Sequence, residues 1–224
     1  SCGVTQGATE LALAMVADDG LQAADVRSAE VRLPPYAHKL GGHAFCPGAN
    51  PRVDAQFSAA YCVANAFVRR ASKLRHFAPA QVHEPALRAM IERITVRADA
   101  AMNARGHTAV DLEVVTTAGR TLKRALDIAP GFPGADLDDA QHLARFRDCL
   151  AYAPRPLPAP QVERLLGALA GIADLEDVRT LVPLLLVSGV PDANQADPRV
   201  PAGLRQPAQT AIRGRDDHRR GGAA

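Results

Sequence analysis

The sequence predicts an α+β fold in which helices cover a mostly antiparallel sheet. Apolar residues recur with helical spacing in several segments, two short stretches alternate apolar and polar residues as strands do, and residues 108–128 have the pattern of a β-hairpin. These elements follow one another as helix, strand, helix, helix, strand, hairpin and helix. This order indicates a small domain with helices packed on one sheet.

The first helix and the first strand are predicted near the start of the chain. The helix covers about residues 6–18, with its apolar residues on one face, Thr5 as a candidate N-cap and Gly20 placed to end it. In the following segment, AEVRLP, apolar and charged residues alternate, and two prolines end the predicted strand. Residues 36–53 have the composition of a loop, and a loop of this length inside a domain is typically functional or mobile.

Two further helices and a short strand are predicted in the middle of the chain. Residues 54–70 indicate a buried, alanine-rich helix that is capped by Asp54 and carries Phe57 and Tyr61 on its apolar stripe. A helix is predicted over about residues 84–93, and TVRADA after it has the pattern of a short strand. The apolar residues expected to face inward here are Leu87, Met90, Ile91 and Ile94.

The last third begins with the hairpin, whose turn is predicted at Ala118 and Gly119. A loop rich in Gly and Pro follows, and a helix is expected from about residue 138. The segment PRPLPAP indicates a stiff linker, after which two helical segments carry a broad apolar stripe over residues 161–187, the second interrupted by Pro183. Residues 191–224 are polar, rich in proline and without period, so we expect them to be disordered.

Composition and charge exclude several classes of protein. The 26 basic and 24 acidic residues nearly balance, which does not suit a nucleic-acid binder. The apolar stretch LALAMVA is too short for a signal peptide or a membrane span. The four cysteines lack metal-ligand spacing, so zinc is not expected, and they are too few for a disulfide-stapled secreted domain of this length. A reducing cytosol fits best.

Cys2 and Tyr61 are candidate catalytic residues, because the thiol of Cys2 lies at the start of a predicted helix and the hydroxyl of Tyr61 lies on a predicted apolar helix face. Cys2 directly precedes a helix, where the helix dipole favours an anion, and Thr5 lies beside the first free N–H groups of the same helix. Tyr61 lies on the buried face of its helix, where a hydroxyl can act as a general acid. The alternatives are an inert small residue for Cys2 and a core tyrosine with one hydrogen-bond partner for Tyr61.

Other polar residues lie near Tyr61 in the sequence. Gln56 and Asn65 bracket Tyr61 along the chain, and their alternative roles are capping and solvated packing. The predicted loop also carries basic residues that either bind an acidic substrate or are ordinary solvated charges. These basic residues are His38, Lys39, His43 and Arg52.

Four segments resemble, in order, the C-terminal part of the MmgE/PrpD family, which includes 2-methylcitrate dehydratase, cis-aconitate decarboxylase and iminodisuccinate epimerase. They are SCGVTQGATELAL, VDAQFSAAYCVANAF, RITVRAD and TTAGRTLKRALDIAPGFPGADLDDAQHLARFRDC, and the resemblance covers about residues 1–188. Its most specific piece is D-A-Q-F-S-x-x-Y-x-V-A. Two further features that occur in the same order as in the family, the hairpin and the P-G-x-P segment before a helix, strengthen the resemblance.

The resemblance implies a domain organisation. Relatives usually carry Tyr-Pro-Ser-Cys where this chain has Ser1 and Cys2, after a larger all-helical domain. Residues 1–153 would then form a lid-like α+β domain, residues 154–190 the C-terminal helices that pack on the helical domain, and residues 191–224 a tail without family counterpart. The expected partners are a second copy of the chain in a homodimer, or an N-terminal helical domain. No nucleic acid or membrane is expected.

The resemblance also implies a site in the cleft between the two domains and a reaction beside a carboxylate. Cys2 and Tyr61 would be catalytic and share one cavity, and Thr5, Gln6 and Gln56 would bind substrate. Relatives usually read C-x-x-T-H, so Gln6 replaces the histidine to which a proton transfer is assigned. The implied activity is that of a cytoplasmic lyase or isomerase for a small polycarboxylic acid, most similar to 2-methylcitrate dehydratase, with no metal or organic cofactor. The alternatives are an inactive fragment and a non-enzymatic interaction module.

Overall fold

A computed structural model describes residues 2–187, and the chain divides into two compact units after Pro154. The described part has nine α-helices and one four-stranded sheet, which confirms the predicted α+β class. The elements of the first unit are α1 (Gly3–Asp18), β1 (Val26–Leu33), α2 (Pro35–Gly41), α3 (Pro51–Gln56), α4 (Ala59–Arg69), α5 (Pro79–Val82), α6 (Pro85–Ile91), β2 (Ile94–Ala98), β3 (Val110–Thr116), β4 (Thr121–Leu126) and α7 (Asp139–Tyr152). The second unit contains α8 (Ala159–Ala170) and α9 (Val182–Leu185).

The sheet has the strand order β2-β1-β3-β4. The pairs β1–β3 and β3–β4 are antiparallel, and β1–β2 is parallel, so the sheet is mostly antiparallel as predicted. In the register, Val31 lies opposite Leu112, and Val114 lies opposite Leu122. The predicted hairpin is therefore confirmed, and its turn uses Gly119 at φ +80, a backbone conformation that glycine adopts without steric strain.

Helices α1 and α4 form the layer that covers the sheet. The start of α1 is tied to the segment before α4, because the Cys2 N–H donates to the Gln56 carbonyl at 3.0 Å. The far ends are tied as well, since the guanidinium of Arg70 donates to the carbonyls of Val16 and Leu21 at 3.4 Å. The two helices therefore run side by side in the same direction.

Small residues allow close packing in this layer. A Cβ atom on Gly7 would lie 2.8 Å from Cγ1 of Val110, so the glycine permits α1 to approach β3. In α4, every residue from Ala59 to Phe67 is buried, including four alanines that let neighbouring elements come close. The core of the first unit lies between this helical layer and the inner face of the sheet.

Several predicted boundaries were wrong. Residues 36–53 are not one loop, because α2 and α3 form there, each with a proline at its start. Proline is compatible with the first turn of a helix, where the missing N–H has no partner to lose. Thr5 is not an N-cap, since α1 begins at Gly3 with Cys2 before it. The buried helix is capped by Ser58, whose Oγ accepts from the Tyr61 N–H at 3.1 Å, whereas Asp54 lies within α3.

Two more boundaries differ near the ends of predicted helices. Ile94 belongs to β2 rather than to the preceding helix, which ends at Ile91. In the second unit, the predicted helical segment after residue 175 is mostly a 3₁₀ helix, Val178–Leu181, and Pro183 lies in the first turn of α9 instead of interrupting a longer helix. There the side chain of Gln161 links α8 to this region, since its Nε2 donates to the carbonyls of Leu184 and Leu186.

Two further sequence predictions concern the C-terminal tail and the absence of a membrane-spanning helix. The tail predicted for residues 191–224 lies outside the described residues. Within residues 2–187, no helix has both the length and the apolar character that crossing a bilayer requires.

Candidate functional site

The first turn of α1 brings together predicted site residues that are distant in the sequence. We call this group, Cys2, Thr5, Gln6 and Gln56, the α1 entrance. The Thr5 hydroxyl lies 2.9 Å from the Cys2 carbonyl and 3.2 Å from the Gln56 carbonyl, and the Cys2 N–H donates to the same Gln56 carbonyl. Three predicted residues therefore form one connected hydrogen-bonded group.

The four residues of the α1 entrance differ in how far a ligand can reach them. Thr5 is completely buried, and its hydroxyl is directed at two backbone carbonyls, so its observed role is to hold α1 against the segment before α4. Cys2 is half-buried, and its side chain makes no capping hydrogen bond. The positive end of the α1 dipole, a helix of 16 residues, favours an anion beside Cys2.

Gln6 holds the loop that follows β4 against α1. Its side-chain Nε2 donates to the carbonyl of Pro130. In the same loop, the ring of Phe132 packs over Gly3, where a Cβ atom would lie 3.0 Å from Cζ of that ring. A side-chain amide neither gains nor loses a proton near neutral pH, so Gln6 can orient a ligand or a loop but cannot act as an acid or a base.

Helix α2 places basic residues next to the α1 entrance. The end of α2 contacts α1 directly, because a Cβ atom on Gly41 would lie only 3.0 Å from Cγ2 of Thr5. His38 and Lys39 lie within the turn that precedes Gly41, and Nε2 of His43 lies 2.6 Å from the Lys39 carbonyl. This end of the unit can therefore present cationic groups to a carboxylate.

Tyr61 lies in the core. It has no exposed surface, and its hydroxyl donates to the His76 carbonyl at 2.6 Å. Its ring packs between Phe45 and Phe77, with ring centroids 5.2 and 5.5 Å away. Burial raises the pKa of the Tyr61 phenol, an effect that the Arg69 guanidinium opposes. The structure thus gives Tyr61 a core position, and its catalytic role and a cavity shared with Cys2 stay predictions.

A second cysteine lies directly beneath the α1 entrance. Cys62 is completely buried between α1 and α4, and its Sγ lies 3.6 Å from the Ala55 carbonyl. Burial raises the pKa of the Cys62 thiol, and the nearby hydroxyls of Thr5 and Thr9 oppose this shift only in part. A neutral, buried thiol is a poor nucleophile, so Cys62 acts as a packing residue.

A cleft that the sequence did not predict lies between α1, the turn at residues 72–77 and α7. Its volume is about 360 Å³, and it contains four charged side chains. Arg145 Nη2 lies 3.8 Å from Glu10 Oε1, and Lys73 Nζ lies 3.4 Å from Asp148 Oδ1. Burial raises the pKa of Glu10, and the charge of Arg145 opposes this shift.

One sequence signal points to this cleft. Glu10 is the only charged residue among the first 17, so it interrupts an otherwise apolar or neutral helix. Gln6 lies one turn before Glu10 and also lines the cleft, which therefore adjoins the α1 entrance. Phe77, another lining residue, separates the cleft from Tyr61.

Within the described part of the chain, no three side chains of His, Cys, Asp or Glu come together as a metal site would require. The cysteine side chains of this part are free thiols: Cys2, Cys46, Cys62 and Cys149.

Comparison with known proteins identifies one family. A family model described as the MmgE/PrpD C-terminal domain matches residues 1–159. The matched region contains the complete first unit, with the α1 entrance and the cleft, and ends as α8 begins. A search of curated proteins found no match.

Proposed function

Because this chain belongs to the MmgE/PrpD family, whose members are generally enzymes of the lyase and dehydratase type, we propose that it supplies the C-terminal part of such an enzyme. The proposed reaction takes place beside a carboxylate of a small polycarboxylic acid, as a lyase or isomerase reaction without metal or organic cofactor. Among the family activities, a hydro-lyase similar to 2-methylcitrate dehydratase is our first choice. The family match over residues 1–159 is the observation that carries the proposal.

The α1 entrance supports a carboxylate substrate. The first turn of α1 offers the positive end of a helix dipole beside Cys2, and α2 brings His38 and Lys39 to the same end of the unit. Groups of this kind hold carboxylates and stabilise the negative charge that develops when a proton leaves the neighbouring carbon. Dehydration then requires one group to take that proton and one to protonate the leaving hydroxide.

The proton transfers must be assigned without Gln6. Because its amide does not titrate and donates to the Pro130 carbonyl, Gln6 positions the neighbouring loop. In our proposal, Cys2 exchanges a proton with the substrate at the mouth of α1, and Tyr61 serves as the second proton-carrying group. Tyr61 reaches the substrate only if its bond to the His76 carbonyl is exchanged for one to a ligand.

We further propose that the site is completed by an all-helical domain or by a second copy of the chain, in the cytoplasm. Leu40 and Phe57 support such a contact, since these large apolar side chains are exposed at the ends of α2 and α3, next to the α1 entrance. The free thiols of the described part agree with a reducing compartment.

The test is turnover of 2-methylcitrate, cis-aconitate and iminodisuccinate by the purified chain, alone and with a supplied N-terminal helical domain of the family. We expect the complete assembly to convert one of the three compounds. Cys2→Ser should lower the rate at least tenfold, because a serine hydroxyl hardly ionises near neutral pH. The matched control is Cys46→Ser, whose thiol is exposed. Equal rates for both variants, or no turnover of any compound by the assembly, would contradict the proposal.

A second candidate function is a non-catalytic interaction module, and the second unit supplies the observation that favours it. Four large apolar side chains there are more than half exposed, an unusual density for a surface without a partner. They are Val178, Val182, Leu185 and Leu186. If the assembled protein binds none of the three acids and converts none of them, this function replaces the enzymatic one.

A further inference from the structure

The cleft between α1 and α7 has the size of a site for a small organic molecule. Its volume, about 360 Å³, is at the lower end of the range of roughly 300–1,000 Å³ that ligand pockets occupy. Three structural segments form its walls, and they come from distant parts of the sequence: α1, the turn at residues 72–77 and α7. The site therefore exists only in the folded unit.

The charged groups of the cleft are paired loosely. Glu10 faces Arg145 at 3.8 Å, and Lys73 faces Asp148 at 3.4 Å. Charge-assisted hydrogen bonds between such groups are typically about 2.7–2.9 Å long, so neither pair uses its bonding capacity fully. All four side chains retain contact with solvent, with exposed fractions between 29% and 51%. A ligand can therefore reach each of them.

The signs of these charges indicate which class of ligand the cleft can bind. Two carboxylates and two cations give the cleft no net charge, so a polycarboxylic acid gains attraction from the cations but meets repulsion from Glu10 and Asp148. A molecule with one ammonium and one carboxylate meets a partner for each group. The ammonium would stabilise Glu10 in particular. Burial raises the pKa of Glu10 and so disfavours its carboxylate form, and a nearby positive charge favours that form again.

The remaining wall of the cleft is apolar. Leu13, Leu74 and Phe77 line it, and Leu74 exposes 38% of its surface. A short hydrocarbon side chain placed against them would remove apolar surface from water on both partners.

From the cavity, the two loose ion pairs and the apolar wall, we infer that this cleft binds an α-amino acid with an apolar side chain. Its ammonium lies against Glu10 and Asp148, its carboxylate against Lys73 and Arg145, and its side chain against Leu74 and Phe77. The inference does not rest on the proposed enzymatic function, since none of these charged residues belongs to the α1 entrance.

The test compares leucine with two analogues that each lack one charge. Isothermal titration calorimetry on the full chain is carried out with L-leucine, with 4-methylpentanoate, which lacks the ammonium, and with 3-methylbutylamine, which lacks the carboxylate. We expect leucine to bind at least tenfold more tightly than either analogue, a difference of about 1.4 kcal/mol. Equal affinity for the three compounds, or no heat change with millimolar leucine, overturns the inference.

Paired neutral substitutions identify which side chains recognise which group. Glu10→Gln combined with Asp148→Asn should abolish the preference for leucine over 4-methylpentanoate. Lys73→Gln combined with Arg145→Gln should abolish the preference over 3-methylbutylamine. Glu10→Gln and Asp148→Asn keep the side-chain size, whereas Lys73→Gln and Arg145→Gln shorten the side chains, so circular dichroism melting checks that both double variants fold.

The matched control is Arg88→Gln, an exposed substitution on α6 outside the cleft, which should leave all three affinities unchanged. If the double variants keep the leucine preference while melting at a lower temperature, the four charges serve only to hold α7 in place, and the inference is wrong.

Discussion

The N–H of Cys2 donates a hydrogen bond to the carbonyl of Gln56 at 3.0 Å, which places the start of α1 beside the end of α3. The buried hydroxyl of Thr5 lies within 3.2 Å of the same carbonyl and reinforces this link. The sequence predicts both Cys2 and Gln56 as site residues. Their proximity depends on packing between α1 and α4, so the integrity of the candidate site is linked to the stability of the core.

Thr5→Val should destabilise the first unit. The substitution removes the hydroxyl between the carbonyls of Cys2 and Gln56 and nearly keeps the side-chain volume. Both carbonyls keep a backbone donor, so the loss of this buried hydrogen bond costs about 0.5–1.5 kcal/mol in the free energy of unfolding. Urea denaturation measures the difference. Thr95→Val, at an exposed position in β2, is the control and should stay within about 0.5 kcal/mol of the wild type. A similar effect from both variants would show that the link at Thr5 is not important.

Tyr61→Phe should lower stability only modestly, because the His76 carbonyl keeps a second donor, Nη1 of Arg69, at 3.2 Å. We expect a loss of about 0.5–1.5 kcal/mol in the free energy of unfolding. Tyr36→Phe, whose ring is 62% exposed, is the control and should have no measurable effect. Turnover of the assembled enzyme is measured on the same variants. A slower rate in Tyr61→Phe alone supports its catalytic role, and an unchanged rate leaves Tyr61 as a core residue.

Gly7→Ala should destabilise the chain even though alanine is the better helix former. The added Cβ would lie 2.8 Å from Cγ1 of Val110, so α1 must move away from β3. Overpacking of this kind costs about 1–3 kcal/mol. The contrasting variant is Gly167→Ala in α8, where no atom lies within 4 Å of the new Cβ. There we expect about 0.5–1 kcal/mol of stabilisation from helix propensity. Thermal melting followed by circular dichroism compares the two, and stabilisation by both would refute the close approach at Gly7.

Stability of the first unit should fall as the pH drops below about 6.5, because of His76. Burial lowers the pKa of His76 from its ordinary value of 6.5, and the cations Arg69 and Arg75 lower it further, against smaller opposing effects from a backbone hydrogen bond at Ala71 and from Asp148. The unfolded chain therefore binds a proton at a pH where the folded chain does not, and acid favours unfolding. Protonation also removes the lone pair on Nδ1 that accepts from the Lys73 N–H at 3.2 Å.

Replacement of His76 tests this pH dependence. His76→Gln should reduce the slope of the free energy of unfolding against pH between pH 7 and pH 5, measured by urea denaturation at several pH values. His83→Gln, at an exposed position, is the control. An unchanged slope in His76→Gln would assign the acid sensitivity to other groups.

The elements that the sequence predicted correctly depend on local patterns. The hairpin of β3 and β4 follows from alternation over few residues and from a turn that needs glycine at φ +80. The α1 helix and β1 follow from periodicity, and both end where the sequence predicts, although each begins several residues earlier. By contrast, the sequence predicts that Pro35 ends a strand and that Pro51 lies in a loop, yet each begins a helix, because proline occurs both in loops and in the first turn of helices. Only the surrounding packing distinguishes the two cases.

For the candidate site, the sequence determined which reactive groups exist and, through its motifs, the family to which they belong. The tertiary structure decided how those groups are used. It joined Cys2 to Gln56, buried Thr5 and directed the hydroxyl of Tyr61 to a backbone carbonyl. It also assembled the cleft from Glu10, Lys73 and Arg145, which lie on three separate elements. Periodicity describes one element at a time, whereas the pairing of charges across a cleft depends on how elements pack, and that packing is determined by the whole core.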